Sequence, residues 1–263
     1  MYEIIDSHCH IYPDAIAAKA SAGTGSFYKI EMKHDGTIDT LLKESEKAGI
    51  DRHIVQSVAT TPKQVSSINN FIARTVAQRP DKFTGLGTLH PESNDIKRDF
   101  EELMALGLKG VKLHPDIQGF KLDDYRCLKM YELCEGKIPV LVHAGDFRYD
   151  FSNYNRLKPL LEIFTGLTFI GAHFGGWSIW EDATQNLKGY KNLYVDCSSS
   201  FYALKKETAK KLIYEYGADR VLFGVDYPMW NPLDEITYFK ELNLPEEDNK
   251  KILHDNAVKV FGL

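Results

Sequence analysis

Eight runs with strand character alternate with segments of helical periodicity along a chain of 263 residues. They predict an α/β protein: a closed parallel (β/α)8 barrel of the TIM type, with an extra helix at its C-terminal end. Two observations favour the closed barrel over an open, doubly wound sheet. Eight units of roughly 25–35 residues fill a barrel, whereas an open sheet typically has about five to seven strands. The first run ends in Asp6-Ser7-His8-Cys9-His10 and not in a glycine-rich turn of the dinucleotide-binding kind.

The strands are expected at Glu3–His10, Arg52–Val58, Phe83–Leu89, Leu108–His114, Ile138–His143, Leu167–His173, Asn192–Asp196 and Arg220–Asp226. Between them, sets such as Ile38-Leu41-Leu42-Ser45-Ala48, Ile68-Phe71-Ile72-Thr75-Val76 and Leu128-Tyr131-Leu133 repeat at helical spacing. Glu246 to Phe261 forms the last helix, led by Pro245 and closed by Gly262. Ile11 to Gly36 departs from the short connections. Some 26 residues, including Gly23, Gly25, Phe27 and Tyr28, precede the first clear helix. Connections that long are usually functional or mobile, and this one leaves the first strand at the barrel mouth, where a lid would lie. No linker or low-complexity segment interrupts the alternation, so residues 1–263 are read as one domain.

Hydrophobic residues at 43% and charged residues at 26% are ordinary for a soluble globular chain, and no apolar run reaches the roughly 18 residues of a membrane span. The net charge of −5 offers no basic footprint for nucleic acid. The four cysteines form no Cys-x-x-Cys pair, so free thiols in a reducing compartment are expected. The start of the chain lacks the features of a signal peptide, which places the protein in the cytosol.

Residues i and i+2 of a strand share a face, so His8 and His10 converge on one point, the geometry of half a metal site. In a barrel of this type the C-terminal strand ends surround one pocket. Here those ends carry His8, His10, Lys112, His114, His143, His173 and Asp226, and five of the nine histidines are among them. Lys112 and His114 have the same parity on a strand whose other face is Val111 and Leu113, so both should point inward. Asp116, just beyond, is expected to face solvent. Tyr12, Arg148 and Trp177 stand near the mouth among other aromatic residues, a lining suited to a planar or carboxylated small molecule.

Asp6-Ser7-His8-Cys9-His10, Gly110-Val111-Lys112-Leu113-His114-Pro115, Val142-His143-Ala144-Gly145, Ala172-His173-Phe174-Gly175-Gly176, Gly224-Val225-Asp226-Tyr227-Pro228 and Ile252-Leu253-His254-Asp255-Asn256-Ala257 span nearly the whole chain. This set resembles the metal-dependent amidohydrolase superfamily, in particular the branch that contains aminocarboxymuconate semialdehyde decarboxylase. The resemblance implies that His8, His10, His143 and Asp226 bind one divalent metal and that His173 stands beside the metal-bound water. Three imidazoles and a carboxylate suit zinc first and accept Mn2+, Fe2+ or Ni2+. In some members a carbamylated lysine on the fourth strand bridges two metals. Lys112 is read instead, with His114, Tyr12, Arg148 and Trp177, as part of the substrate-binding wall, a cation for an anionic substrate.

The leading functional expectation is a metal-dependent hydrolase of a small ester, lactone or amide, acting through a metal-activated water, with His173 and Asp226 as the catalytic proton carriers. The alternative is a metal-dependent, non-oxidative decarboxylase of a small unsaturated or aromatic carboxylic acid. Gly175 and Gly176 are expected to let the loop after His173 come close to a ligand. The partner implied is a small molecule, with no nucleic acid and no membrane. Homodimers are frequent among such barrels.

Overall fold

The computed structural model describes residues 2–263. Apolar runs bounded by turns become eight parallel strands: β1 (Ile5–His10), β2 (Arg52–Gln56), β3 (Phe83–Gly85), β4 (Val111–Leu113), β5 (Val140–Val142), β6 (Phe169–Gly171), β7 (Leu193–Asp196) and β8 (Val221–Leu222). They pair in chain order within two ladders, β1-β2-β3 and β4-β5-β6-β7-β8. Parallel bridges between Cys9 and Tyr227 and between Gly87 and Val111 join the ladders into a closed barrel. Along the β1/β8 seam the Ser7 amide donates to the Phe223 carbonyl and the Asp226 amide to the His8 carbonyl, both at 2.8 Å.

Several strands are shorter than expected, most clearly at Phe83–Leu89 and Arg220–Asp226. Of the polar residues that close the runs, His173 and Asp226 lie beyond the ends of β6 and β8. His173 and Asp226 sit in the left-handed region, with φ of 59° and 66°. That conformation is uncommon for residues other than glycine and ends a strand.

The helices are α1 (Asp14–Tyr28), α2 (Ile38–Ala48), α3 (Val65–Gln78), α4 (Ile96–Ala105), the single turn α5 (Pro115–Gln118), α6 (Tyr125–Cys134), α7 (Tyr154–Ile163), α8 (Trp180–Leu187), α9 (Lys206–Tyr216), α10 (Pro232–Lys240), α11 (Glu246–Lys250) and α12 (Asn256–Phe261). α2 illustrates the local rules. Thr37 caps its first turn through the Thr40 amide, Leu41, Ser45 and Ala48 form its buried face, and Gly49 ends it in a left-handed cap. None of the helices among the described residues is long and apolar enough to cross a membrane.

Two expectations change. The stretch Ile11 to Gly36 is not an irregular loop, because α1 occupies its centre. The buried residues of α1 are Ala17, Ser21, Gly25 and Tyr28. Their spacing is helical, but three of the four are small and carry little hydrophobic signal. The small face permits close packing: a Cβ on Gly25 would stand 2.7 Å from the Ile30 carbonyl oxygen. The C-terminal helix is interrupted by a π-helical turn at Lys251–Asp255. The Ile252 carbonyl in that turn accepts the Phe223 amide at 3.0 Å. Ala257 and Phe261 beyond it pack with Ile5, Ile54, Leu141 and Leu222 in an inner cluster. This helix therefore closes the end of the barrel opposite the strand C-termini.

Candidate active site

The C-terminal strand ends and the loops after them enclose one cavity of about 40 Å³, lined by His8, His10, Tyr12, Tyr28, Lys112, His114, His143, His173 and Asp226, among others. His8 Nε2 lies 3.2 Å from His10 Nε2, and Asp226 Oδ1 lies 3.5 and 3.7 Å from those two nitrogens. Donors about 2.0–2.1 Å from a shared ion in a tetrahedral arrangement stand roughly 3.3–3.4 Å apart. The three edges bracket that value, so His8, His10 and Asp226 fit a divalent ion.

The residues behind them fix which atoms face the cavity. Asp196, at the end of β7, accepts the His8 Nδ1 hydrogen at 2.9 Å, which leaves His8 Nε2 bare. Asp196 Oδ1 also accepts the amides of His173 and Ser198, each at 3.0 Å, and the Ser198 hydroxyl at 2.5 Å. His173 Nδ1 donates to the Ser198 carbonyl at 3.0 Å, so its Nε2 is bare as well. Ser199 donates to Asp226 Oδ2 at 2.5 Å and itself receives the Trp230 indole hydrogen at 2.7 Å. Asp226 Oδ1 is thus the free oxygen. Burial holds His8, His10, His114 and His143 well below the ordinary imidazole range and takes His173 down to about 4. All five are neutral at pH 7, the form in which imidazole binds metal or accepts a proton.

Lys112 is fully buried, with Nζ 3.0 Å from His8 Nε2. Burial pulls its ammonium down to about 8, opposed by the negative charges of Asp226 and Asp196. His143 stands apart from the His8–His10–Asp226 group. Its Nδ1 is 3.1 Å from His173 Nε2, its ring stacks on His114 with centroids 4.0 Å apart, and its Nε2 is 3.7 Å from Asp116. Asp116 does not face solvent. Its carboxylate is buried, accepts the Ser152 hydroxyl and leaves Oδ1 without a partner, and burial pushes it up to about 6.

Arg148 and Trp177, expected in the substrate wall, are not among the cavity-lining residues. Arg148 is held by the Asp146 carboxylate and donates to the Phe27 carbonyl at 2.7 Å. Trp177 packs edge-on against Tyr28, with centroids 5.0 Å apart. Gly175 and Gly176 let this loop pack against α8: a Cβ on Gly175 would stand 2.9 Å from Leu187 Cδ1, one on Gly176 2.3 Å from Ala183 Cβ, and one on Gly145 2.5 Å from Gly176 Cα. Sequence reasoning passed over Asp196, Ser198, Ser199 and Tyr28 as site residues. Asp196 carried a signal, since it ends its run as the other polar residues end theirs. Ser198 and Ser199 were placed only near the mouth and Tyr28 only in the stretch above it, with no role given to any of them.

A family model described as Amidohydrolase matches residues 5–263. Gamma-resorcylate decarboxylase of Polaromonas sp. (strain JS666) is 29% identical over 294 aligned positions, covering 89% of this chain and 86% of that protein. Among solved structures, an uncharacterised TIM-barrel protein of Bordetella bronchiseptica superposes with a TM-score of 0.83 at 23% identity, covering 99% of both chains. A dihydroxybenzoic acid decarboxylase of Polaromonas sp. JS666, with bound manganese and the inhibitor 2-nitroresorcinol, gives 0.76 at 20% identity, covering 100% of this chain and 98% of that one. With the family model spanning all but the first four residues, the chain belongs to the amidohydrolase family.

Proposed function

We propose that this protein is a metal-dependent, non-oxidative decarboxylase of a small aromatic carboxylic acid, the second of the two activities expected from the sequence. The observation that carries this reading is Lys112, a buried ammonium in the wall of the cavity, 3.0 Å from His8 Nε2. Keeping such a charge buried is costly unless it meets an anion. A carboxylate substrate supplies one, and a neutral ester, lactone or amide does not. The similarity to gamma-resorcylate decarboxylase over most of both chains supports the same choice.

His8, His10 and Asp226 would hold one divalent ion, with His143 as the further donor that the family pattern implies. Manganese, bound in the Polaromonas structure, ranks beside zinc for such nitrogen and oxygen donors. When bound, the ion supplies a concentrated positive charge that orients anionic oxygens. Lys112 draws the carboxylate inward and fixes its direction. For a ring-hydroxylated acid, the bare Nε2 of His173 takes the hydroxyl proton. The bond to the carboxylate then breaks, its electron pair stays on the ring carbon, and carbon dioxide leaves. His173 returns the proton to that carbon, giving the phenolate. The buried cavity keeps water away from the carbanionic carbon.

The test is a screen of protein purified without chelator against hydroxybenzoates, lactones, esters and amides, scored for carbon dioxide and for acid release. Carbon dioxide from a hydroxybenzoate, lost on chelation and restored by Mn2+ or Zn2+, is the expected result. Acid release from a lactone or ester with no carbon dioxide from any carboxylate would overturn the reading in favour of the hydrolase.

A further inference from the structure

α1 ends on Tyr28, whose hydroxyl lies inside the cavity, 2.6 Å from His114 Nε2. The direction of that hydrogen bond is fixed by the other side of the ring. His114 Nδ1 accepts the Ile117 amide at 3.3 Å, so the ring hydrogen is on Nε2 and His114 donates to the Tyr28 oxygen. The Tyr28 hydrogen must therefore go elsewhere. The imidazole nitrogens that remain in reach are those of His143, at 3.4 and 3.5 Å, long for a hydrogen bond. The site thus holds a buried donor, oriented by His114, with no good acceptor of its own.

The cavity explains what that donor waits for. It is lined besides by Lys112, His173 and Asp226, the groups given above to the carboxylated substrate and the metal. Thr24 and Tyr28 of α1 form part of its wall, so a substrate bound there meets α1. Arg148 is placed to hold the end of α1 against the cavity. The guanidinium grips the Phe27 carbonyl at 2.7 Å and lies 5.4 Å from the centroid of the Tyr28 ring.

We propose that Tyr28 is a substrate-binding residue that donates its hydroxyl hydrogen to an oxygen of the carboxylated substrate, and that Arg148 is the positioning residue that places it. The inference rests on the decarboxylase reading above. It assigns to a helix outside the barrel strands a direct part in recognising substrate.

The experiment uses metal-loaded protein and 2,6-dihydroxybenzoate as the probe, with binding followed by calorimetry and by fluorescence of Trp177, whose ring abuts Tyr28. Tyr28→Phe should weaken probe binding and raise KM by roughly 10- to 100-fold, the worth of a hydrogen bond to a charged acceptor. Its metal content should be unchanged and its kcat should move far less than its KM. Arg148→Ala, which leaves Tyr28 in place, should shift KM in the same direction by a smaller factor. The double variant should be no worse than Tyr28→Phe, because Arg148 acts only through Tyr28. Wild-type affinity in Tyr28→Phe, or metal loss in proportion to activity, overturns the assignment while leaving the decarboxylase reading intact. A wild-type protein that neither binds the probe nor releases carbon dioxide from any hydroxybenzoate overturns both.

Discussion

Replacing Asp196 with asparagine tests the atom-level account of the site. Three donors converge on Asp196 Oδ1, the amides of His173 and Ser198 at 3.0 Å and the Ser198 hydroxyl at 2.5 Å. An asparagine will keep its oxygen there and turn its amide nitrogen toward His8 Nδ1, which the carboxylate now meets at 2.9 Å. Two N–H donors cannot face each other, so His8 must move its hydrogen to Nε2 and accept at Nδ1. The hydrogen then occupies the nitrogen that faces His10 at 3.2 Å and Lys112 at 3.0 Å, and His8 is lost as a ligand. Disturbing the carboxylate behind a ligating histidine costs about 10- to 100-fold in metal affinity, or ~1.4–2.8 kcal/mol. Competition with a chelator measures that loss, nitrogen-15 spectra of the imidazoles report the tautomer, and circular dichroism shows that the barrel has folded. An Asp196→Asn protein that binds Mn2+ or Zn2+ as tightly as wild type, with His8 still protonated on Nδ1, would refute the reasoning.

Three further outcomes are expected. Lys112→Met should keep one ion per chain by elemental analysis but raise KM for carboxylates at least about tenfold; two ions in the wild type, one of them lost in the variant, would make Lys112 a bridging ligand instead. His173→Asn should retain its metal and lose kcat by roughly 10²–10⁴-fold, the contribution of a positioned acid or base; metal loss in step with activity would make His173 a ligand. His53 in β2 is fully buried, and desolvation takes it down to about 3 against about 6.5 in the unfolded chain. The unfolded state therefore binds the proton first. The stability that His53 contributes by staying neutral is complete above about pH 6.5 and declines as pH falls toward 3, by roughly 2 kcal/mol at pH 5. Urea midpoints of His53→Leu should accordingly drop less between pH 7 and pH 5 than those of wild type, and parallel curves would show that His53 does not drive the acid limb.

How far the sequence could be read depended on which physical signal each element carried. The barrel strands are apolar runs closed by one polar residue, a pattern that survives in one dimension because both faces of a parallel strand are buried. His8, His10, Lys112, His114, His143, His173 and Asp226 were legible for that reason, and all seven line the cavity. α1 was not legible, since its buried face is Ala17, Ser21 and Gly25 before Tyr28. Small side chains, and not apolar area, make up most of that face. Asp116 was misjudged because its burial depends on Ser152, 36 positions away, which the local pattern could not show. Arg148 was placed in the substrate wall for its charge and its position among aromatic residues near the mouth. The structure commits its donors to Asp146 and to the Phe27 carbonyl.

Closure of the barrel and alignment of the candidate ligands meet at one seam. β1 and β8 belong to different ladders, and the seam between them is joined by backbone bonds from the Asp226 amide to the His8 carbonyl at 2.8 Å and from the His10 amide to the Tyr227 carbonyl at 2.7 Å. Asp6 bridges that seam: its Oδ1 accepts the His8 amide at 3.0 Å and the Val225 amide at 2.9 Å. One oxygen thereby holds a candidate ligand residue of β1 and the neighbour of Asp226 in the run just beyond β8. The opposite carboxylate oxygen receives the Cys9 thiol at 2.9 Å, which pins the residue between the two histidines. The Asp-x-His-x-His stretch is thus more than a pair of ligands at strand spacing. Its aspartate fixes where the strand carrying them meets the strand that supplies the third donor. The edges of 3.2, 3.5 and 3.7 Å follow from that junction. Asp6 therefore shapes the site without touching anything bound in it.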